Sequence, residues 1–128
     1  YMEQHFPNGY ILIAEGAYMD KRSHEKNLAG MMRHMRNFDI TVESVCRTLS
    51  DQQGVAVLVT ADHECGGLEL AKNKSELDRS LYTSGYHTAV DVPYFIRLQI
   101  AAGVPADYFT ERMDNTDIYR IMRSLLGV

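Results

Sequence analysis

The chain has 128 residues, enough for one domain with one core and short of two comfortable ones. Its composition, 45% apolar and 23% charged, is that of an ordinary globular protein, and a net charge of −4 with no evident basic patch argues against nucleic acid or membrane as a partner. No apolar run approaches the roughly 20 residues that span a bilayer, and no signal peptide opens a chain whose first residue is Tyr1, so its start says little about compartment.

Residues 1–8 read as a disordered start. Residues 10–14, YILIA, lie between Gly9 and Glu15 and predict a short strand buried on both faces. Residues 15–27, EGAYMDKRSHEKN, carry mixed charge without a clear period and read as a loop or loop-helix. From about Asn37 the period is helical: Phe38, Val42, Val45, Cys46 and Leu49 line one face, and Gly54 ends the helix. VAVLVT, residues 55–60, is a second buried strand. GGLEL (66–70) is a candidate strand, and residues 71–86 read as a polar loop. From Thr88, the residues Val90, Val92, Tyr94, Ile96 and Leu98 alternate with others, predicting a strand that Pro93 makes an edge or an irregular start. A loop through Gly103 and Pro105 leads to a C-terminal helix with capping residues Asn115 and Thr116. Ile118, Ile121, Met122 and Leu125 share a face of that helix, and Gly127 stops it.

A helix bridging two fully apolar strands predicts a βαβ unit in a parallel sheet, where ligands bind beyond the carboxyl ends of the strands. Both apolar runs lead into ligand-type residues at that end: Glu15, Asp20 and His24 after the first, Asp62 and His63 after the second. Carboxylates and imidazoles suit zinc. Each has a plainer reading. Asp20 and His24, at i and i+4, make a surface ion pair on a helical turn; Glu15 is a loop or capping carboxylate; His87 is a strand-start histidine. Asp62 and His63 are loop residues whose side chains, on an extended backbone, point to opposite faces. His5 and His34 read as structural or surface residues, and Met31, Met32 and Met35 as packing. Cys46 and Cys65 are too few for a disulfide framework and show no CxxC spacing, so each reads as a buried or incidental thiol. Taken together, three segments each supplying Asp or His is the pattern of a metal site built from loops on a rigid sheet.

EGAYMDKRSHEKN, VTADHECGG and YHTAVDVP, in that order, resemble the metal-binding segments of the alkaline phosphatase family, and DNTDIYRIMRSLLG resembles its C-terminal helix. The resemblance runs from Gly9 to the end and covers the C-terminal part of a family chain several times longer. It implies an α/β three-layer sandwich with a mostly parallel sheet, of which residues 9–128 form the C-terminal portion. It implies hydrolysis of phosphate monoesters through a serine nucleophile, with two zinc ions and one magnesium. Residue by residue, Asp20, His24 and His87 resemble the protein ligands of the first zinc, Asp62 and His63 two ligands of the second, and Glu15 a ligand of the magnesium. Lys21 resembles a lysine that reaches the bound phosphate through water. Gly66 and Gly67 release the chain in a tight turn after a ligand-bearing strand end.

The chain departs from the family pattern at the nucleophile, a serine directly after an aspartate, because it contains no Asp-Ser pair. The family's phosphate-clamping arginine has no counterpart either. The expectation is therefore a piece of a phosphomonoesterase that is inactive alone, self-associates through apolar faces left open, and comes from a periplasmic or secreted protein. The alternatives are another hydrolase of the same superfamily (a sulfatase, mutase or phosphodiesterase) and a non-catalytic metal-binding domain.

Overall fold

Two helices and the turn between them set the frame. Helix α2 (Tyr18–His24) realises the loop-helix expectation and is followed by helix α3 (Leu28–Thr48). The structure, a computed structural model, describes residues 2–69, 81–99 and 110–127. The remaining elements are helix α1 (Met2–His5), strands β1 (Val55–Thr60), β2 (Glu64–Cys65), β3 (His87–Thr88) and β4 (Tyr94–Gln99), and helix α4 (Asn115–Leu126). Helices and strands are thus mixed in an α/β chain. The expected loop through Gly103 and Pro105, and most of the loop over 71–86, lie outside the described residues.

Two expectations are corrected. Residues 10–14 form no strand, and Leu12 and Ile13 are 78% and 82% exposed. Strand β1 falls on VAVLVT as expected, but it is half-buried and pairs with β4 in a two-stranded sheet. That pair is antiparallel: Gly54 N–H donates to Gln99 O at one end, and Thr60 Oγ1 donates to Pro93 O at the other. An unbroken apolar run specifies burial without naming a partner. Once residues 10–14 take no strand, a parallel neighbour for β1 is missing among the described residues. Strand β4 starts directly after Pro93, and its even-numbered residues Tyr94, Ile96 and Leu98 are its more buried ones, as the alternation predicts.

The chain divides into two compact units, residues 1–14, 52–56 and 97–128 in one, and residues 15–51 and 57–96 in the other. In the first, α4 is amphipathic about Ile121, which is 1% exposed. Its cap lies one residue before the expected pair. Asp114 accepts from Thr116 N–H at 2.9 Å, while Asp117 accepts from Asp114 N–H at 3.0 Å, a reciprocal capping box. Gly127 closes the helix with φ 70°.

In the second unit, Leu28, Met31, Leu81 and Tyr82 form the core, with Met19 and Leu68 packed against it. Among the described residues, the one buried polar residue is Ser23, and it is satisfied: its hydroxyl donates to Met19 O at 2.9 Å and faces the Tyr82 hydroxyl at 3.4 Å. Helix α3 starts well before the expected Asn37, because Asn27 caps it by accepting from Gly30 N–H at 2.9 Å. A Cβ at Gly30 would lie 2.8 Å from the Asn27 amide, so a side chain there would push the capping group aside.

Helix α2 ends in a Schellman turn. Asn27 N–H donates to Arg22 O at 2.8 Å, and Lys26 N–H donates to Ser23 O at 2.9 Å. Lys26 holds the left-handed position at φ 53°, which costs an L-residue about 1–2 kcal/mol. Lys26→Gly is therefore expected to stabilise the fold by about 1 kcal/mol after the added unfolded-state entropy is counted, read as a higher urea midpoint at unchanged slope. Gly66 is the converse case: φ is 91°, and a Cβ would lie 2.5 Å from the Tyr82 ring. Gly66→Ala should destabilise by more than about 2 kcal/mol, and an unchanged melting curve would contradict this packing. At Asp114, the backbone and side-chain hydrogen bonds from Thr116 hold the carboxyl below its ordinary 3.8. A carboxylate depressed in the folded state stabilises above its unfolded pKa and loses that contribution as pH falls through the folded one. The Thr116 amide shift should accordingly move only below about pH 4 and stop tracking that titration in Asp114→Ala.

Candidate metal centre

Three backbone segments of the second unit deliver side chains to one place. Helix α2 carries Asp20 and His24 one turn apart on the same face. Strands β2 and β3 pair antiparallel with Glu64 opposite Thr88 and Cys65 opposite His87. The ladder continues past the strands: Gly66 N–H donates to Tyr86 O, Ser84 N–H to Gly66 O and Thr83 N–H to Gly67 O. Gly66 and Gly67, both at positive φ, make the turn that leads into Leu68, which bridges to Tyr82.

The Glu64 carboxylate locks this turn. It accepts from Gly67 N–H at 3.1 Å, from Leu68 N–H at 3.3 Å, and from the Thr88 hydroxyl. Burial works to raise its pKa, but those three donors and the nearby His87 outweigh it and hold the carboxyl below its ordinary range. Its hydrogen bond to Thr88 steadies the residue that follows His87.

At the centre, His24 Nε2 lies 3.2 Å from His87 Nε2, and Asp20 Oδ1 lies 3.4 Å from the first and 3.3 Å from the second. The outer nitrogen of His24 fixes its tautomer. Nδ1 is 2.9 Å from Gly85 O, and a carbonyl can only accept, so Nδ1 carries the proton. Nε2 of a neutral His24 then turns a lone pair inward. Asp20 Oδ1 is buried and makes no hydrogen bond of good geometry among the described residues. Asp20 Oδ1, His24 Nε2 and His87 Nε2, three ligand-type atoms, thus converge within 3.4 Å of one another. A tetrahedral zinc with ligands at about 2.0–2.1 Å separates its ligand atoms by about 3.3 Å, the edge length seen in this triangle. The donor set fits a zinc-type cation. Burial tends to raise the Asp20 carboxyl; the Cys65 thiol and the His24, His87 and His63 imidazoles overcome it and leave the carboxyl ionised below its ordinary range.

The second pair sits beside this triangle. The His63 ring stacks on that of His87, with centroids 3.5 Å apart and planes at 18°. Asp62, with 86% of its side chain exposed, folds back to put Oδ2 3.2 Å from His63 Nε2. Opposed directions were expected for these neighbours on an extended backbone. The chain bends at Asp62, which lets both groups face the same region. Glu15 precedes α2 as an exposed residue, and Lys21 is exposed on α2 with Nζ 4.9 Å from the Tyr18 ring centroid. Among the described residues, the groups whose ligand atoms all lie within 4.8 Å of one another are Asp20, His24, Cys65 and His87. Glu15, Lys21, Asp62 and His63 stand outside that set.

Cys65 and Glu64 went unrecognised as members of the site. Cys65 stands two residues after His63, the spacing that returns to the same face of a strand, and this was the signal available. Its position opposite His87 depends on strand register, which no local pattern shows. The register makes a specific demand on Thr88: Thr88→Val removes one donor from the half-buried Glu64 carboxylate and should cost about 1–2 kcal/mol in urea unfolding, whereas an unaltered midpoint would show that the Glu64 latch contributes nothing.

The family model described as alkaline phosphatase matches residues 3–80, more than half of the chain. Alkaline phosphatase 4 of Bacillus subtilis is 23% identical over 110 residues, which cover 86% of this chain and 23% of that protein. Repressible alkaline phosphatase of Saccharomyces cerevisiae is 36% identical over 62 residues, covering 48% of this chain and 11% of that protein. Alkaline phosphatase 3 of Bacillus subtilis is 27% identical over 63 residues, 49% of this chain and 14% of that protein. The chain therefore spans at most about a quarter of the length of these relatives. No solved structure matches it significantly.

Proposed function

The chain belongs to the alkaline phosphatase family, and on that premise we propose that it contributes the metal-holding half of a site that hydrolyses phosphate monoesters. The observation that carries the proposal is the triangle of Asp20 Oδ1, His24 Nε2 and His87 Nε2, with edges of 3.2–3.4 Å about a buried carboxylate oxygen. We assign these three residues to one zinc ion, Asp62 and His63 to a second, and Glu15 to a magnesium. When bound, zinc in such a pair supplies Lewis-acid stabilisation of charge on phosphoryl oxygens. The chain's own residues do the orienting. Gly85 O holds His24 by Nδ1, the β2–β3 pair and Glu64 hold His87 through Thr88, and His63 is braced against the His87 ring. Lys21, one residue from Asp20 and exposed to solvent, is placed to approach an anionic substrate.

The family's mostly parallel three-layer sandwich is proposed for the complete domain. The proposal also holds that this chain alone is inactive. It has no Asp-Ser pair to provide the family's nucleophile, and without a nucleophile the largest share of covalent catalysis is lost. Export to the periplasm or the outside is proposed on family grounds; no helix among the described residues is long and apolar enough to cross a membrane. Self-association is proposed from the exposed run that includes Leu12 and Ile13, and a clean monomer by light scattering at high concentration would count against it.

Zinc content after dialysis tests the core of this proposal. The chain should retain about one tightly held zinc, and His87→Ala should release it. Equal zinc in both proteins would overturn the ligand assignment. Neither should turn over a generic aryl phosphate; turnover by the chain that His87→Ala abolishes would sink the claim of inactivity.

A further inference from the structure

We infer that Cys65 is a fourth protein ligand of the metal on Asp20, His24 and His87, closing the position that a hydrolytic zinc site leaves open. The inference rests on the metal assignment proposed above and adds a residue to it. A zinc site with three protein ligands keeps one position for water or substrate, whereas four protein ligands make a closed site. Cys65 Sγ is the fourth ligand-type atom within 4.8 Å of all the others, and it is brought there by the β2–β3 register that sets Cys65 opposite His87. Its thiol donates to the Asp20 backbone carbonyl at 3.7 Å, so Sγ lies against the same helical turn that presents the Asp20 carboxylate.

The chemistry is a simple exchange. The S–H bond breaks, its proton goes to solvent, and a sulfur–metal bond forms in its place. A thiolate ligand also shifts the preference of the site from hard cations towards zinc, cobalt and cadmium. The consequence for the family reaction is a site in which the sulfur and the substrate compete for one coordination position.

Cobalt(II) titration of the full chain, followed by absorption, is the test. Binding through Asp20, His24, His87 and Cys65 should give both the visible bands of tetrahedral cobalt and the intense near-ultraviolet band of sulfur-to-cobalt charge transfer. Cys65→Ser should lose the charge-transfer band and bind cobalt about 10–100-fold more weakly, while Cys46→Ser should keep it. Visible bands without charge transfer, or charge transfer that survives in Cys65→Ser, would overturn the role of Cys65 and leave the three-ligand site intact. No cobalt binding by the wild type would overturn the metal assignment itself and this inference with it.

Discussion

A buried carboxylate oxygen that faces two imidazole nitrogens, with no proton assigned to it, is the constraint around which this structure is arranged. In water such a trio would trade hydrogen bonds with solvent. Here Asp20 Oδ1 is shut off from water and, among the described residues, makes no hydrogen bond of good geometry. A buried unsatisfied oxygen costs about 1–3 kcal/mol, and a bound cation is one group that relieves it. The negative charge of Asp20 and the imidazoles set against it make a donor set that suits a cation.

The rest of the second unit is legible as the support for that point. The Schellman turn at Lys26 and the Asn27 cap fix where α2 ends and α3 begins, and hence the height of His24 on its helix. The core of Leu28, Met31, Leu81 and Tyr82 ties α3 to the segment that leads into β3. Gly66 and Gly67 allow β2 to turn against Tyr82 and Thr83 without a Cβ in the way. Glu64 then joins that turn to Thr88. A change at any of these positions moves a ligand by leverage, although none of them touches the candidate metal. Outer supports of this kind commonly influence metal sites as strongly as a ligand does.

The parts of this arrangement written in local pattern were readable from sequence. VAVLVT is rich in apolar, β-branched residues bounded by turns, which favour a strand; α4 has its face and its glycine stop; the spacing of Asp20 and His24 puts both on one helical face. The parts that depend on distant pairing were not readable. YILIA has the same local pattern as VAVLVT, yet residues 10–14 take no strand, because strand formation needs a neighbour and the run does not name one. The bend at Asp62, the position of Cys65 opposite His87, and the lone donor that His24 gives to Gly85 all arise from register between segments far apart in the chain. Cys65 was thus passed over as an incidental thiol while the histidine across the ladder from it was identified.

Long-range proton–nitrogen correlation of the imidazole rings, recorded as zinc is added, tests the central claim most directly. It reports which nitrogen of each of the five histidines holds a proton and which binds metal. The account predicts that His24 and His87 both bind through Nε2, that His24 keeps its Nδ1 proton on Gly85 O, and that His5 and His34 do not respond. Zinc bound through Nδ1 of His24, or held by His5 or His34 while His24 and His87 stay unchanged, would contradict it.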